Sequence, residues 1–358
     1  MEHGTLRQVP LEYLWEGLIL SDNIYDHAGN VLLIPRGERI TAEKLKRVAN
    51  FCEGDRYITT YEGGYQEIVN GKDTPDEIRQ KALENHSGYT GLKNSVDHVL
   101  QVTRRIKQVS SEEVEQVMVD VYEKLQEMEP ADVFSCIDVP RPIDEALQRH
   151  SLNVAFLNGM MGRWLQYSEE DIRSLVLIGI LHDIGKTWIP EEVLYAPRKL
   201  TEEETAIMHR HPIFSHEMLG DEIPVEVKNA VRQHHEKLNG KGYPDGLSGD
   251  AITRFARITA ISDVYDAMIS ARCYKTAKLP FDVLEQFREA EFDGLDERLV
   301  AVFIQNMRHY YRKKHVLMSD GTIGDILYIP PNDIRYPVIC AGDRLQQVDE
   351  DWYCIRII

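Results

Sequence analysis

The chain of 358 residues carries 41 Lys and Arg against 59 Asp and Glu, and 43% of its residues are apolar, enough to bury a full core over two or three domains. Its formal charge of -18 argues against duplex nucleic acid or an anionic membrane as the main partner, since both demand a broad basic surface. The longest apolar run, residues 175–181, is far short of the ~20 residues of a spanning helix, the first ten residues lack the apolar core of a secretory signal, and the five cysteines, Cys52, Cys136, Cys273, Cys340 and Cys354, form no CxxC pair; these features predict a soluble, cytoplasmic protein with reduced thiols.

Residues 1–66 alternate short apolar runs with turn signals at Gly29, Asn30 and Gly37, which predicts a small β-rich module. One helix is expected from Thr41, as N-cap, to Phe51, and a strand near residues 57–59. Residues 62–75 are polar and read as a linker. From about Glu77 to Glu129 the period becomes helical, with Val99, Val102, Ile106 and Val109 on one face and Val114, Val117, Val121, Leu125 and Met128 on the next. Ser110 and Glu113 have capping-box spacing between these helices. Docking of both helices in cis is favoured over a homodimer contact.

Residues 140–315 remain helical, broken by Pro190, Pro197, Pro212, Pro224 and the segment 239–249. The tail, 316–358, returns to short β runs at 326–329, 337–340 and 353–358. The expected architecture is mainly α: a helical bundle with small β-rich N-terminal and C-terminal modules, divided as 1–66, 67–132, 133–315 and 316–358.

Six of thirteen histidines fall between His182 and His235, in the strings LHDIGK, MHRHPIFSHE and RQHHEKLNGKGYPDG. A lone histidine is ordinarily a solvated or hydrogen-bonded side chain, and His3, His27, His86, His98, His309 and His315 are read so; His309 and His315 look like cations at a helix C-terminus. The pairs His182-Asp183 and His234-His235 differ. The first directly follows the apolar run, so a buried helix delivers an imidazole and a carboxylate into the interior, at a high cost unless something compensates them. A metal ion would, taking neutral imidazole and ionised carboxylate as ligands.

Taken in order, His182-Asp183 with Lys186, His211-Pro212, HHEKLNGKGYP from His234, SDVYDA from Ser262 and an upstream His150 resemble the HD-GYP branch of the HD-domain metal phosphohydrolases. The resemblance covers about residues 140–315. It implies an HD-domain helical bundle that binds two metal ions, sometimes three, and hydrolyses cyclic di-GMP to linear pGpG, with GMP as a further product left open. Carried over, the ligands are His150, His182, Asp183, His211, His234, His235 and Asp263, with Asp183 bridging the ions. A nitrogen and oxygen set without thiolate favours Fe or Mn, with Ni or Zn as alternatives. Two such ions would activate a bridging hydroxide in line with the phosphorus. Lys186, one helical turn beyond Asp183, and the family's nucleotide-holding positions, Arg272 and Lys275, would contact the phosphates. Tyr243 would contact substrate or partner, although a plain turn is an equally open reading of the GYP segment.

Three departures stand out. Where some members carry a glutamate that holds a third metal, this chain has Ala146, so two metals are expected; Ser215 replaces a usual glycine; and the loop 195–200 lacks the usual KPGK character. The related substrate cyclic GMP-AMP cannot be separated from cyclic di-GMP by sequence. The competing readings are a catalytically degenerate cyclic-dinucleotide sensor and an HD-domain di-iron oxygenase. The complete ligand set argues against the first and the cations against the second.

Overall fold

The computed structural model describes residues 75–128, 146–269 and 279–357, except 197, 290–292, 313 and 342–343, together with short strands within residues 6–61 and isolated positions at 41, 44, 133–134 and 137. Of the helix expected between Thr41 and Phe51, only positions 41 and 44 are among these, with Thr41 Oγ1 accepting from the Lys44 amide at 3.4 Å as its capping role predicts; the rest of it and the linker before residue 75 lie outside. Near the N-terminus, β1 (Leu6–Pro10) and β2 (Ile19–Leu20) flank β5 (Tyr57–Tyr61) in an antiparallel sheet, and β3 (Ile24–Tyr25) pairs with β4 (Leu32–Ile34).

Helix α1 (Pro75–Ile106) is followed by α2 (Ser111–Glu127). Ser110 caps α2 by accepting from the Glu113 amide. All five apolar positions expected on the inner face of this second segment are buried. The first stripe holds only in part: Val99 and Val109 are buried, whereas Ile106 is 51% exposed. Ile106 is the last residue of α1, and the left-handed backbone of Lys107 (φ 63°) follows it and ends the helix there.

Helix α3 (Ala146–Trp164) packs along α4 (Glu169–Leu181). Helix α4 starts at an N-cap, Ser168, with three acidic residues in its first turn, as the helix dipole favours. Its residues 175–181 are all buried, as expected of a helix apolar all round. Gly179 makes the crossing: a Cβ there would lie 2.3 Å from Ala155 Cα. Asn158 of α3 donates to the Leu175 carbonyl of α4 and to Thr259 Oγ1.

Short helices α5 (Glu191–Leu194), α6 (Glu202–Met208), α7 (His211–Glu217) and α8 (Val225–Gln233) follow. The helical run is broken at the expected prolines, each of which stands at a helix start: Pro190 before α5 and Pro224 before α8 are N-caps, and Pro212 occupies the first turn of α7, where a missing N–H costs nothing. Helix α9 (Arg254–Ile269) carries Thr259 and packs on α3, and α10 (Pro280–Arg288) and α11 (Glu297–Tyr311) complete the bundle. No described helix is long and apolar enough to cross a membrane.

The C-terminal strands β6 (His315–Met318), β7 (Ile323–Tyr328), β8 (Val338–Ala341), β9 (Arg344–Gln347) and β10 (Cys354–Ile357) form one antiparallel sheet, ordered β10-β6-β7-β8-β9. Its inner residues Val316, Met318, Ile326 and Ile339 join one core with Phe281, Phe303 and Tyr311 of the bundle. His315 is not at a helix end: it lies on β6 and pairs with Asp325 on β7 at 2.6 Å. Strand pairing, invisible in the basic run before it, decides that position.

Gly179→Ala tests the close crossing of α3 and α4. Helix propensity alone would favour alanine by ~1 kcal/mol. Overpacking against the α3 backbone should dominate and lower the unfolding free energy by about 1–3 kcal/mol in urea titration.

Candidate functional site

Two helices end where the chemistry begins. His182 is the C-cap of α4 and His234 the C-cap of α8, so the partly negative ends of both helices favour a cation nearby. Asp183 follows His182, His211 opens α7, Asp263 lies on α9, and His150 sits one turn into α3. All seven residues expected as ligands come together from these elements.

Asp183 is the centre. Its Oδ1 lies 3.1 Å from His211 Nε2 and 3.9 Å from His234 Nε2, and its Oδ2 lies 3.4 Å from both His150 Nε2 and His182 Nε2. Asp263 sits 3.0 Å from His150 Nε2 through Oδ1 and 3.6 Å from His235 Nδ1 through Oδ2. The donor atoms form two overlapping groups, Asp183 with His211, His234 and His235, and Asp183 with His150 and His182, each within 4.8 Å.

The proton inventory tests whether this set fits a metal. The Nδ1 atoms of His182, His211 and His234 donate to the carbonyls of Gly179, Met208 and Val231, at 2.7–2.8 Å. A carbonyl only accepts, so each neutral ring presents an Nε2 lone pair to the cluster. Burial holds His211 and His234 below the ordinary histidine value, and His235 falls to about 3. His211 and His234 therefore face each other at 3.3 Å as two acceptors, beside Asp183 Oδ1, which is buried without a hydrogen-bond partner. Converging lone pairs around a buried carboxylate repel one another, and divalent ions would satisfy all of them at once.

Burial would raise the Asp183 and Asp263 carboxyls, yet both are held well below the usual range, by Lys186 and His182 at the first and by His150 and His235 at the second. His150 moves the other way. Despite desolvation, its bonds to Asp263 and Asp266 raise it to about 9.

Lys186 Nζ donates to Asp183 Oδ2. It stands in a 3-10 turn, Ile184–Trp188, where three residues per turn bring it back over Asp183. Tyr243 stacks on His235 with centroids 4.6 Å apart and on His209 at 3.9 Å and 10°. Burial and the charges of Asp263 and Asp183 push its phenol upward, so the hydroxyl stays protonated. Gly242 is required by close approach, since a Cβ there would lie 2.4 Å from Lys237 N and 2.6 Å from His235 O. Glu236 anchors this loop by accepting from the amides of Asp245 and Leu247. Arg272 and Lys275 lie outside the described residues.

Several residues around the cluster were not predicted as part of it. Asp266 Oδ2 lies 2.7 Å from His150 Nδ1, Asn153 donates to Asp266 Oδ1, and Tyr89 OH donates to Asn153 Oδ1. The available signal was spacing: Asn153 follows His150 by three residues and Asp266 follows Asp263 by three, so each shares a helix face with a candidate ligand. Ser215, noted only as a departure, accepts from Gly185 N and donates to the His182 carbonyl, both at 2.8 Å. Gly185 must be glycine, because a Cβ would lie 2.2 Å from His211 O and 2.4 Å from Ser215 N.

A helical bundle with a buried histidine and aspartate cluster at its helix ends defines the HD-domain class, whose phosphohydrolases are metal-dependent. Residues 136–296 match the HD-domain family, and that segment is similar to proteins named as cyclic di-GMP phosphodiesterases. It is 47% identical over 123 residues to the cyclic di-GMP phosphodiesterase response regulator RpfG of Xanthomonas campestris, covering 33% of this chain and 32% of that protein. It is 37% identical over 169 residues to the 3'3'-cGAMP-specific phosphodiesterase 1 of Vibrio cholerae, covering 46% of this chain and 38% of that protein. The chain thus matches less than half the length of these curated relatives. The structure of Bd1817, a HDG"Y"P protein from Bdellovibrio bacteriovorus, shares the fold with a TM-score of 0.52 at 15% identity, covering 85% of this chain and 99% of that one.

Ser215→Ala leaves a buried amide and a helix-end carbonyl without their shared partner, and should lower the unfolding free energy by about 1–3 kcal/mol, read by urea titration. In metal-free protein, the stability contributed by His150 is complete below its unfolded value of 6.5 and lost as pH rises through about 9. His211, His234 and His235 have depressed folded values, so their contribution is present above 6.5 and lost as pH falls. The melting temperature of chelator-treated protein should therefore peak near neutrality, and His150→Gln should flatten the alkaline limb.

Proposed function

We propose that this chain is a metal-dependent phosphodiesterase that hydrolyses cyclic di-GMP to linear pGpG, with residues 133–315 as its catalytic unit. The observation that carries the reading is Asp183, a buried carboxylate whose two oxygens face two separate histidine groups. The substrate class is supported by relatives named as cyclic di-GMP and cGAMP phosphodiesterases. His150, His182, Asp183, His211, His234, His235 and Asp263 would hold two divalent ions, Fe or Mn by their nitrogen and oxygen character. When bound, such a pair supplies Lewis acidity toward a phosphodiester and water.

The chain's own groups do the rest. Asp183 and Asp263 stay ionised and offset the positive charge of the site. Lys186, held over Asp183, offers an ammonium to a phosphate oxygen at the same place. Arg272 and Lys275 would bind the second phosphate and the nucleotide. Tyr243, protonated and stacked beside His235, walls the site and donates toward the substrate. These few cations answer the objection raised by the net charge of -18, because electrostatic attraction here is local.

The test is metal content of anaerobically purified protein with chromatography of cyclic di-GMP after adding Fe(II) or Mn(II). The expected result is about two metals per chain and metal-dependent pGpG. Asp183→Ala should abolish turnover, and Arg272→Ala should raise KM with a smaller effect on kcat. Metal binding without turnover of cyclic di-GMP would overturn this substrate assignment, and turnover of 3'3'-cGAMP alone would reassign it.

A further inference from the structure

Three histidines of the cluster, His182, His211 and His234, have Nδ1 fixed by a backbone carbonyl three residues earlier. His150 is oriented instead by side chains. Its Nδ1 faces Asp266 Oδ2 at 2.7 Å, Asp266 Oδ1 accepts from Asn153 Nδ2 at 2.9 Å, and Asn153 Oδ1 accepts from Tyr89 OH at 2.5 Å. All four residues are buried. We infer that Tyr89 is a positioning residue of the metal centre, acting through Asn153 and Asp266 to hold His150 with its Nε2 turned into the cluster. The inference rests on the reading that this cluster binds divalent metal.

The polarity of the chain allows one arrangement. An ionised carboxylate only accepts, so Asn153 must present its NH2 to Asp266 and its carbonyl oxygen to Tyr89, whose hydroxyl must then donate. At the other end, Asp266 requires the proton of His150 on Nδ1, leaving Nε2 as the ligand atom in the neutral ring. Tyr89 is therefore a donor into a directed series of bonds that leads to His150. Its ring is held by stacking on Phe156, with centroids 6.1 Å apart at 18°, which fixes where the hydroxyl points.

Tyr89 lies on α1, outside the segment 136–296 that matches the HD-domain family. The helix upstream of the HD domain thus supplies a bond to the support of His150. A shift of α1 relative to α3 would remove the Tyr89 donor, free the Asn153 amide to rotate, and loosen Asp266. Buried networks of this kind respond as a unit rather than bond by bond.

Tyr89→Phe keeps the ring and its stacking and removes only the donor. Partners that orient metal-bound histidines typically change affinity or activity 10–100-fold when lost. Asp266→Asn, adjacent to His150, should fall in that range, and Tyr89→Phe, two links away, should weaken binding by roughly threefold to tenfold. Metal-free full-length protein would be titrated with Mn(II), with free ion followed by electron paramagnetic resonance, a readout that needs no turnover. We expect Tyr89→Phe to weaken one of two Mn(II) sites, to leave the melting temperature of metal-free protein within a few degrees of wild type, and to add nothing in the Asp266→Asn background. Wild-type Mn(II) affinity in Tyr89→Phe, or losses that add fully in the double variant, would overturn the inference. Absence of Mn(II) binding by the wild type would overturn it together with the metal reading. Weakened Mn(II) binding in a protein that leaves cyclic di-GMP intact would support the inference while removing the proposed substrate.

Discussion

Asp183 is buried, ionised and approached from both sides by imidazoles, of which His182, His211 and His234 already donate their other nitrogen to the backbone. Neither carboxylate oxygen can obtain a proton from His211 or His234, and no water-exposed surface relieves the charge. Lys186 compensates part of it from one side. The remaining lone pairs point at one another across 3–4 Å, a separation suited to cations between them. Leaving such groups together in the interior without compensation would cost more than a protein of ordinary stability can sustain.

The surrounding structure meets the demands of that cluster. Gly179 lets α3 approach α4 closely enough for His150 and His182 to reach 3.3 Å. Gly185 and Ser215 lock the turn after Asp183 against α7, which carries His211. Glu236 holds the loop that brings Tyr243 against His235. Each contact joins elements that contribute different donors, so the geometry of the cluster depends on interhelical packing rather than on any one helix. Burial then tunes the groups: three imidazoles stay neutral and two carboxyls stay ionised, which is the protonation state that metal binding requires.

The histidines are supported in two ways. Backbone carbonyls orient His182, His211 and His234 through local i-3 bonds that any chain with these helix ends would make. His150 relies on Asp266, Asn153 and Tyr89, drawn from α9, α3 and α1. Local support is built into the secondary structure, whereas distributed support exists only when three helices are packed together. It is in this second kind that the helix upstream of the HD domain reaches the site.

Much was legible in the sequence because the signals are local. The run 175–181 ending in His182-Asp183, the HHE and GYP strings, and the SDVYDA segment pointed to the residues that the fold brings into one cluster and to the mainly α bundle, since helical periodicity and ligand-type residues are written along the chain. Ile106 and His315 show where local reading ends: one stands exposed at the last position of its helix, and a strand partner claimed the other. The roles of Asp266, Asn153, Tyr89 and Ser215 were decided by tertiary structure alone. Polar side chains at helical spacing look the same whether solvated or buried, and only packing of distant helices, separated by 64 residues between Tyr89 and Asn153 and by 113 between Asn153 and Asp266, makes a hydrogen bond between them.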